Sequence, residues 1–449
     1  MSNRILPTSL PKELQEIEIN CPTLISWVFQ INETSVFEDY KRTQHVYKKH
    51  FYWEKNNNDN KNITLYGFNS SDIFYEGIIS NSDSILGTGP IQLIANPFDS
   101  RNNSQEGWQD LNKKIAYLPR LLRTEMNEKQ YITLNFLITN HQELITEYSR
   151  IIEEFNEFIL IESSLKKKHH SIISKKEIHV EDWMKAVDES ILMLKNSSVL
   201  NKIVLARQLE LITDTKIDVT DVLANLRQQQ PNTYRFSIRE NNSYFIGASP
   251  ERLLESTPLH FATVCVAGSI ERGKTETEDN KLGEALLKDT KNIIEHSYVV
   301  QWLTKEMSAL TTKLEPLSKV KLLRNRDIQH LYLPIYGKKR QGVSFKEGIE
   351  ALHPSPALGG LPKQEAMDWI KDHEVMPRGL YGGPLGWVNL KDDTGEVIVG
   401  IRSGFISKNK AILYAGCGIV ESSNSELERK ETKVKFQPML RALGGMLNE

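Results

Sequence analysis

Two hydrophobic periods divide this chain. Up to about residue 140 the apolar positions fall on alternate residues in short runs: NITLYGF (62–68), PIQLIAN (90–96) and QYITLNFLI (130–138). Polar stretches such as NSDS and DSRNNSQEG separate them. A period of two is what a pleated strand with one buried face requires, so this part is predicted to be β-rich. The period then lengthens. HQELITEYSRIIEEFNEFILIESSL (141–165) places apolar residues three and four apart, the stripe of an amphipathic helix.

A basic stretch, LKKKHHSIISKKE (165–177), follows and is predicted to be a solvated linker, with the main internal boundary there. Residues 1–165 are thus read as a β-rich N-terminal region and 178–449 as the catalytic region of the same fold. Beyond the linker both periods mix. Helices are predicted at 181–196, 279–310, 344–352, 362–373 and 424–443. Strands are predicted at 202–212, near 232–248 and 259–266, and in GWVNL, EVIVGIRSGFI and AILYAGCGIV. Strand runs punctuated by long helices, without regular βαβ alternation, imply an α+β fold with large antiparallel sheets packed with helices.

Composition narrows the function classes. The formal net charge of 449 residues is −2, so the chain lacks the electrostatic footprint of a nucleic-acid or membrane-surface binder. Small anionic substrates need only a local basic site. Cys21, Cys265 and Cys417 are odd in number and widely spaced, which argues against disulfides and structural zinc. No apolar run has the length of a membrane span, and the first residues carry no run of signal-peptide length. A cytoplasmic location is the expectation.

One motif competes for attention. GSIERGKT (268–275) matches the phosphate-cradling pattern of nucleotide-binding loops. Glu276, Glu278 and Asp279 follow at once, and they would place three carboxylates where polyphosphate charge must gather. No later apolar strand ends in an Asp suited to Mg²⁺. The match is read as accidental.

Other residues fit a different chemistry. Asp289, Asn292 and Glu295 sit three apart on one helix, and Glu428, Glu431 and Lys435 share a face of another. Carboxylates from two helices can share a hard cation with water and substrate oxygens, or they can simply be solvated faces. Lys202 opens an apolar strand and is either a proton acceptor or an edge lysine. Glu251 is either a general acid at a strand end or a helix cap. Arg402, inside an apolar run, needs an anionic partner. Gly416 and Gly418, like Gly268 and Ser269, either bring bare backbone amides to an anion or serve ordinary turn chemistry.

The order of these stretches resembles the chorismate-utilising enzymes. KIVLARQLEL, ASPERLL, AGSIERG, KDTKNIIEH, HPSPALGGLP, RGLYGGPLGW, IRSGFI, YAGCGIVESS and ETKVKFQPMLRAL carry the resemblance over roughly 180–445. It implies Lys202 as the base that activates water and Glu251 as the acid that protonates the departing hydroxyl. It implies Glu295 and Glu431 as Mg²⁺ ligands, and Gly268, Ser269, Ala357, Arg402, Gly416 and Lys435 as contacts to chorismate. The family's helices often carry an acid where this chain has Asn292, and an Asn-Lys pair where it has Val434-Lys435.

Amine-forming members carry a glutamine at the position of Lys202, and aminodeoxychorismate synthases a lysine at that of Ala267. The resemblance therefore implies the water-using branch, needing no glutaminase partner. The expected activity is isochorismate synthase, of the menaquinone-pathway type. Salicylate synthase and a siderophore-pathway isochorismate synthase are the alternatives, and a non-catalytic ligand sensor that kept the fold is the alternative from another class.

Overall fold

The computed structural model describes residues 6–445 apart from 57–61, 72–74, 83–84, 102–107 and 163–169. Two sheets, antiparallel except where Gly77–Ser80 pairs in parallel with Thr23–Ile31, pack face to face, and helices cover both outer faces. The first sheet runs in the spatial order Thr23–Ile31, Lys129–Ile138, Ile115–Met126, Ile63–Ser71, Lys49–Lys55, Tyr234–Glu240, Ser243–Ser249, Ser403–Ser407, Lys410–Ile419, Lys202–Thr213, Ile172–Ile178. Lys321–Arg324, Ile328–Lys339, His260–Glu271, Arg252–Ser256, Thr394–Val399, Pro384–Asn389 and Ile91–Ala95 form the second. Residues from the proposed N-terminal and catalytic regions thus share one ladder, Lys49–Lys55 pairing with Tyr234–Glu240.

Strand side chains alternate between faces, and here both faces are covered. Phe51, Trp53, Phe236, Phe245, Ile398, Phe405 and Tyr414 fill the space between the sheets. Their neighbours Tyr52, Tyr244, Ile246, Ile406 and Leu413 turn outward and pack beneath helices. That is why runs such as HFYW are apolar throughout and do not alternate. Each fully buried aromatic contributes roughly 1.5–3 kcal/mol of transfer free energy.

Three boundaries differ from expectation. Ile172–Ile178, predicted as linker, is a strand on the edge of the first sheet, paired along its length with Lys202–Thr213. Its lysines hid it, because an edge strand tolerates exposed charge. The single helix expected over 279–310 is two, Glu276–Leu286 and Thr290–Leu310, because the Asp289 side chain accepts from the Asn292 N–H and starts a new helix. EVIVGIRSGFI is also two strands, Thr394–Val399 and Ser403–Ser407, interrupted at Gly400–Arg402. Among the described residues no helix is long and apolar enough to cross a membrane.

That interruption has a counterpart. The chain leaves the first sheet at Ser249 and enters the second at Arg252, turning at Pro250–Glu251. It returns from the second to the first through Gly400–Arg402. Strands that change sheets need a bend, and these two bends lie side by side. The Val399 N–H donates to the Glu251 carbonyl at 3.1 Å, the Ser249 hydroxyl to the Val399 carbonyl at 2.7 Å, and the Ala248 N–H to the Arg402 carbonyl at 3.1 Å.

Candidate active site

A pocket of about 600 Å³ opens where the two bends meet, roofed by the Thr290–Leu310 and Ser425–Ala442 helices. Nine of the ten candidate residues line it: Glu251, Gly268, Ser269, Glu295, Ala357, Arg402, Gly416, Glu431 and Lys435. The tenth, Lys202, lies just beneath, its side chain fully buried. A roomier cavity of about 900 Å³ sits between Lys55, Trp387 and Glu396. There the charges satisfy each other, Lys55 Nζ lying 2.8 Å from Glu396 Oε1 and the Tyr234 hydroxyl 2.7 Å from the same atom. Titratable groups converge on the smaller pocket.

Lys202 is buried because the loop before Lys363 lies across its strand. Leu361 pairs with Lys202, and a Cβ on Gly360 would stand 2.3 Å from the Lys202 carbonyl. The lysine is therefore no edge residue. Its Nζ reaches 2.8 Å to Glu295 Oε1. This pair passes directly over Gly418, where a Cβ would meet Glu295 Oε1 at 2.4 Å and Lys202 Cε at 2.8 Å. Gly416 and Gly418 are in register with Ala206 and Val204 in the strand ladder. Having no Cβ, Gly418 leaves room for the Lys202–Glu295 pair, and the Gly416 carbonyl is turned toward Lys435.

Glu251 caps no helix; it occupies the first bend. Burial raises its carboxyl to about 8, against the opposing pull of the Lys202, Arg402 and Lys435 cations. A carboxylic acid that holds its proton near neutral pH is what a general acid requires. Arg402 occupies the second bend with φ 51°, left-handed backbone that few non-glycine residues adopt. It sits in a strand break, not inside a strand as its apolar neighbours imply. Burial lowers its pKa, so the cation is held with little solvent.

The Ser269 amide is not free, since it donates to Asn292 Oδ1 at 3.0 Å. Asn292 in turn gives its Nδ2 hydrogen to Asp289 Oδ1 at 2.7 Å. Where the family often has an acid, this chain uses an amide to tie the Gly268–Ser269 turn to the helix. The loop that resembles a phosphate cradle is likewise closed on itself. The Gly273 N–H donates to Asp279 Oδ1 at 3.0 Å and the Lys274 N–H to Glu278 Oε2 at 2.7 Å.

Three glutamates of the roof helices each have a lysine partner. Lys202 holds Glu295, Lys435 holds Glu431 at 2.6 Å, and Lys291 holds Glu428 at 2.7 Å. Burial pushes Glu431 up but Lys435 outweighs it and keeps the carboxyl low, whereas burial and the nearby Glu431 raise Glu428. Lys435 also donates to the Gly416 carbonyl at 2.9 Å. Hard oxygen donors from two helices, with the space kept open above Gly418, suit a divalent cation such as Mg²⁺. Among the described residues no three His, Cys, Asp or Glu side chains converge as a cage.

His330 and Tyr381 also line the pocket and escaped the sequence reading. Tyr381 stands in the quoted RGLYGG segment, so its signal was present. Its hydroxyl would be 3.2 Å from a Cβ on Gly416, and its ring stacks on Tyr414 at 5.2 Å.

A model of the chorismate binding enzyme family matches residues 12–444. The isochorismate synthase MenF of Bacillus subtilis is 35% identical over 80% of this chain and 75% of its own length. The structure of MenF, the menaquinone-specific isochorismate synthase from Escherichia coli, superposes with a TM-score of 0.79 over 96% of this chain and 97% of that one, at 23% identity. DhbC from Bacillus anthracis, described as a 2,3-dihydroxybenzoate-specific isochorismate synthase, gives a TM-score of 0.70 over 91% and 98%, at 25% identity.

Proposed function

The chain belongs to the chorismate binding enzyme family, and on that premise we propose that it is an isochorismate synthase, an isomerase that moves the hydroxyl of chorismate from C4 to C2. The observation that carries this reading is a buried lysine and a protonated buried glutamic acid at one pocket, Lys202 beneath it and Glu251 in its wall.

Lys202 takes a proton from water as the oxygen attacks C2. The ring double bonds shift, and Glu251 gives its proton to the hydroxyl leaving C4. Water is consumed and released once each, so the net change is an isomerisation. Arg402 and Lys435 supply positive charge to the substrate carboxylates, with Gly268, Ser269, Ala357 and Gly416 shaping the pocket around the ring. Glu295 and Glu431 would hold Mg²⁺. The ion would supply positive charge beside the substrate's ring carboxylate.

The bonding of the Ser269 amide to Asn292 limits that residue's contribution to its side chain and carbonyl. A place in menaquinone biosynthesis is part of the proposal, supported by the similarity to the Bacillus subtilis MenF. So is a cytoplasmic location, which the three unpaired cysteines favour. With water as nucleophile no glutaminase partner is called for.

The test is product analysis after incubation with chorismate and Mg²⁺. Isochorismate is expected. Salicylate with pyruvate would move the assignment to the alternative chemistry, and no turnover by the wild-type chain would sink it. Lys202→Gln should abolish isochorismate formation while calorimetric binding of chorismate persists.

A further inference from the structure

His330 has no part in the chemistry above, although it stands in the pocket wall. It lies on the strand Ile328–Lys339 directly opposite Ser269, just past the irregularity in pairing between Val266 and Ser269. The side chain is buried. Its Nε2 is 3.2 Å from an Nη2 of Arg402, the guanidinium's hydrogen-bond partner among the described residues.

A guanidinium carries only donors. The imidazole must therefore accept through an unprotonated Nε2, which leaves its hydrogen on Nδ1. The ring's other hydrogen bond goes to the backbone of Gly268, in the sense that favours a ring donor. Burial first, then the Arg402 and Lys435 cations, push the ring's pKa well below that of an ordinary histidine, so the lone pair is available. His330 thus joins the Gly268 turn to the arginine across the pocket wall.

We propose that His330 is a positioning residue: a neutral imidazole, anchored on the Gly268 backbone, that aims the remaining N–H groups of Arg402 at a substrate carboxylate. Arg402 needs such a guide. It rises from a strand break, its side chain has several rotatable bonds, and free rotation would be lost again each time substrate binds. Ordering one long side chain on binding costs enough to weaken affinity about threefold to tenfold. His330 removes that cost by ordering the arginine beforehand.

The inference rests on Arg402 as the carboxylate partner, and the experiment separates the two. Turnover and chorismate binding would be measured for wild type, His330→Gln, His330→Phe, Arg402→Lys and the His330→Phe/Arg402→Lys double variant. His330→Phe should raise KM roughly threefold to tenfold with a smaller change in kcat. His330→Gln, which retains a side-chain acceptor, should recover most of the loss. In the Arg402→Lys background, His330→Phe should add less than about twofold, because the guided group is already gone.

Equal losses in both backgrounds, or an unchanged KM in His330→Phe, would overturn the proposal. Should the phenylalanine variant fail to fold, NMR of the ring nitrogens in the wild-type protein still decides. Hydrogen on Nδ1 is expected, and hydrogen on Nε2 refutes the arrangement. An inactive wild type would instead remove the functional reading and leave the tautomer result standing.

Discussion

Two buried arginines, one in each half of the chain, show how burial alone fails to mark a site. Arg123, fully buried on the strand Ile115–Met126, spends its guanidinium on the protein. Nε lies 2.7 Å from Asp39 Oδ2, Nη1 donates to the Tyr131 carbonyl at 3.2 Å and Nη2 to the Thr34 carbonyl at 2.9 Å. Arg402 bonds to His330 and turns toward a pocket. The glutamates repeat the contrast. Burial would raise Glu54, but Arg235 and Arg227 hold it below the ordinary range, whereas Glu251 has no hydrogen-bonded cation among the described residues and burial takes it to about 8. A buried charge with all its bonds internal is a strut. One that keeps bonding capacity open toward a cavity is available for a ligand.

The largest effect that would test this contrast is on stability. Arg123→Met leaves Asp39 buried with Arg42 as its remaining ion-pair partner among the described residues, and breaking a buried pair costs about 3–5 kcal/mol. Urea denaturation should register that loss. A change below about 1 kcal/mol would mean that Arg123 is no strut.

Glu251 comes next. A folded pKa of about 8 lies above the unfolded value, so the folded state binds the extra proton. That contribution to stability is complete below the unfolded carboxyl pKa and is lost as pH rises toward about 8, at a limiting rate of about 1.4 kcal/mol per pH unit. Activity should fall over the upper end of that range as the acid deprotonates. Glu251→Gln should flatten the stability profile and reduce turnover by roughly 10²–10⁴-fold. A Gln variant with the wild-type pH profile would show that another group is the acid.

Arg402→Lys should weaken chorismate binding by about 1–3 kcal/mol, since lysine cannot reproduce the planar fork. Its melting temperature should stay close to wild type, in contrast to the Arg123 variant. The smallest effect is reserved for Lys274→Ala, in the loop that mimics a phosphate cradle. With the neighbouring amides already bonded to Glu278 and Asp279, chorismate turnover should change little. ATP hydrolysis that vanishes in this variant would restore the nucleotide reading.

The sequence pattern was informative where one physical constraint acted at a time. Long helices with apolar stripes, such as His141–Leu160 and Ser425–Ala442, and the strand Lys202–Thr213 stand near where periodicity puts them. The break at Gly400–Arg402 was invisible because the segments on both sides are covered on two faces, and their apolar run does not pause at a change of sheet. Asp289 reads from spacing as a member of an acidic helix face, although the same residue type starts helices.

Within the site, the spacing of Glu295 with Asn292 and of Glu431 with Lys435 could be read, but not their convergence, which depends on how two distant helices cross. The roles assigned to Lys202 and Glu251 came from the resemblance, because their residue types alone left alternatives open. His330 gave no signal. A lone histidine in an apolar strand looks like core until the partner across the pocket is known.

Water labelled with heavy oxygen tests the central claim most directly. If Lys202 activates solvent water, isochorismate formed in labelled water should carry the heavy atom in its C2 hydroxyl, and Lys202→Gln should yield no labelled product. Isochorismate formed at the normal rate with an unlabelled C2 oxygen would mean that the hydroxyl migrates within the substrate, and the acid–base pair would have to be given up.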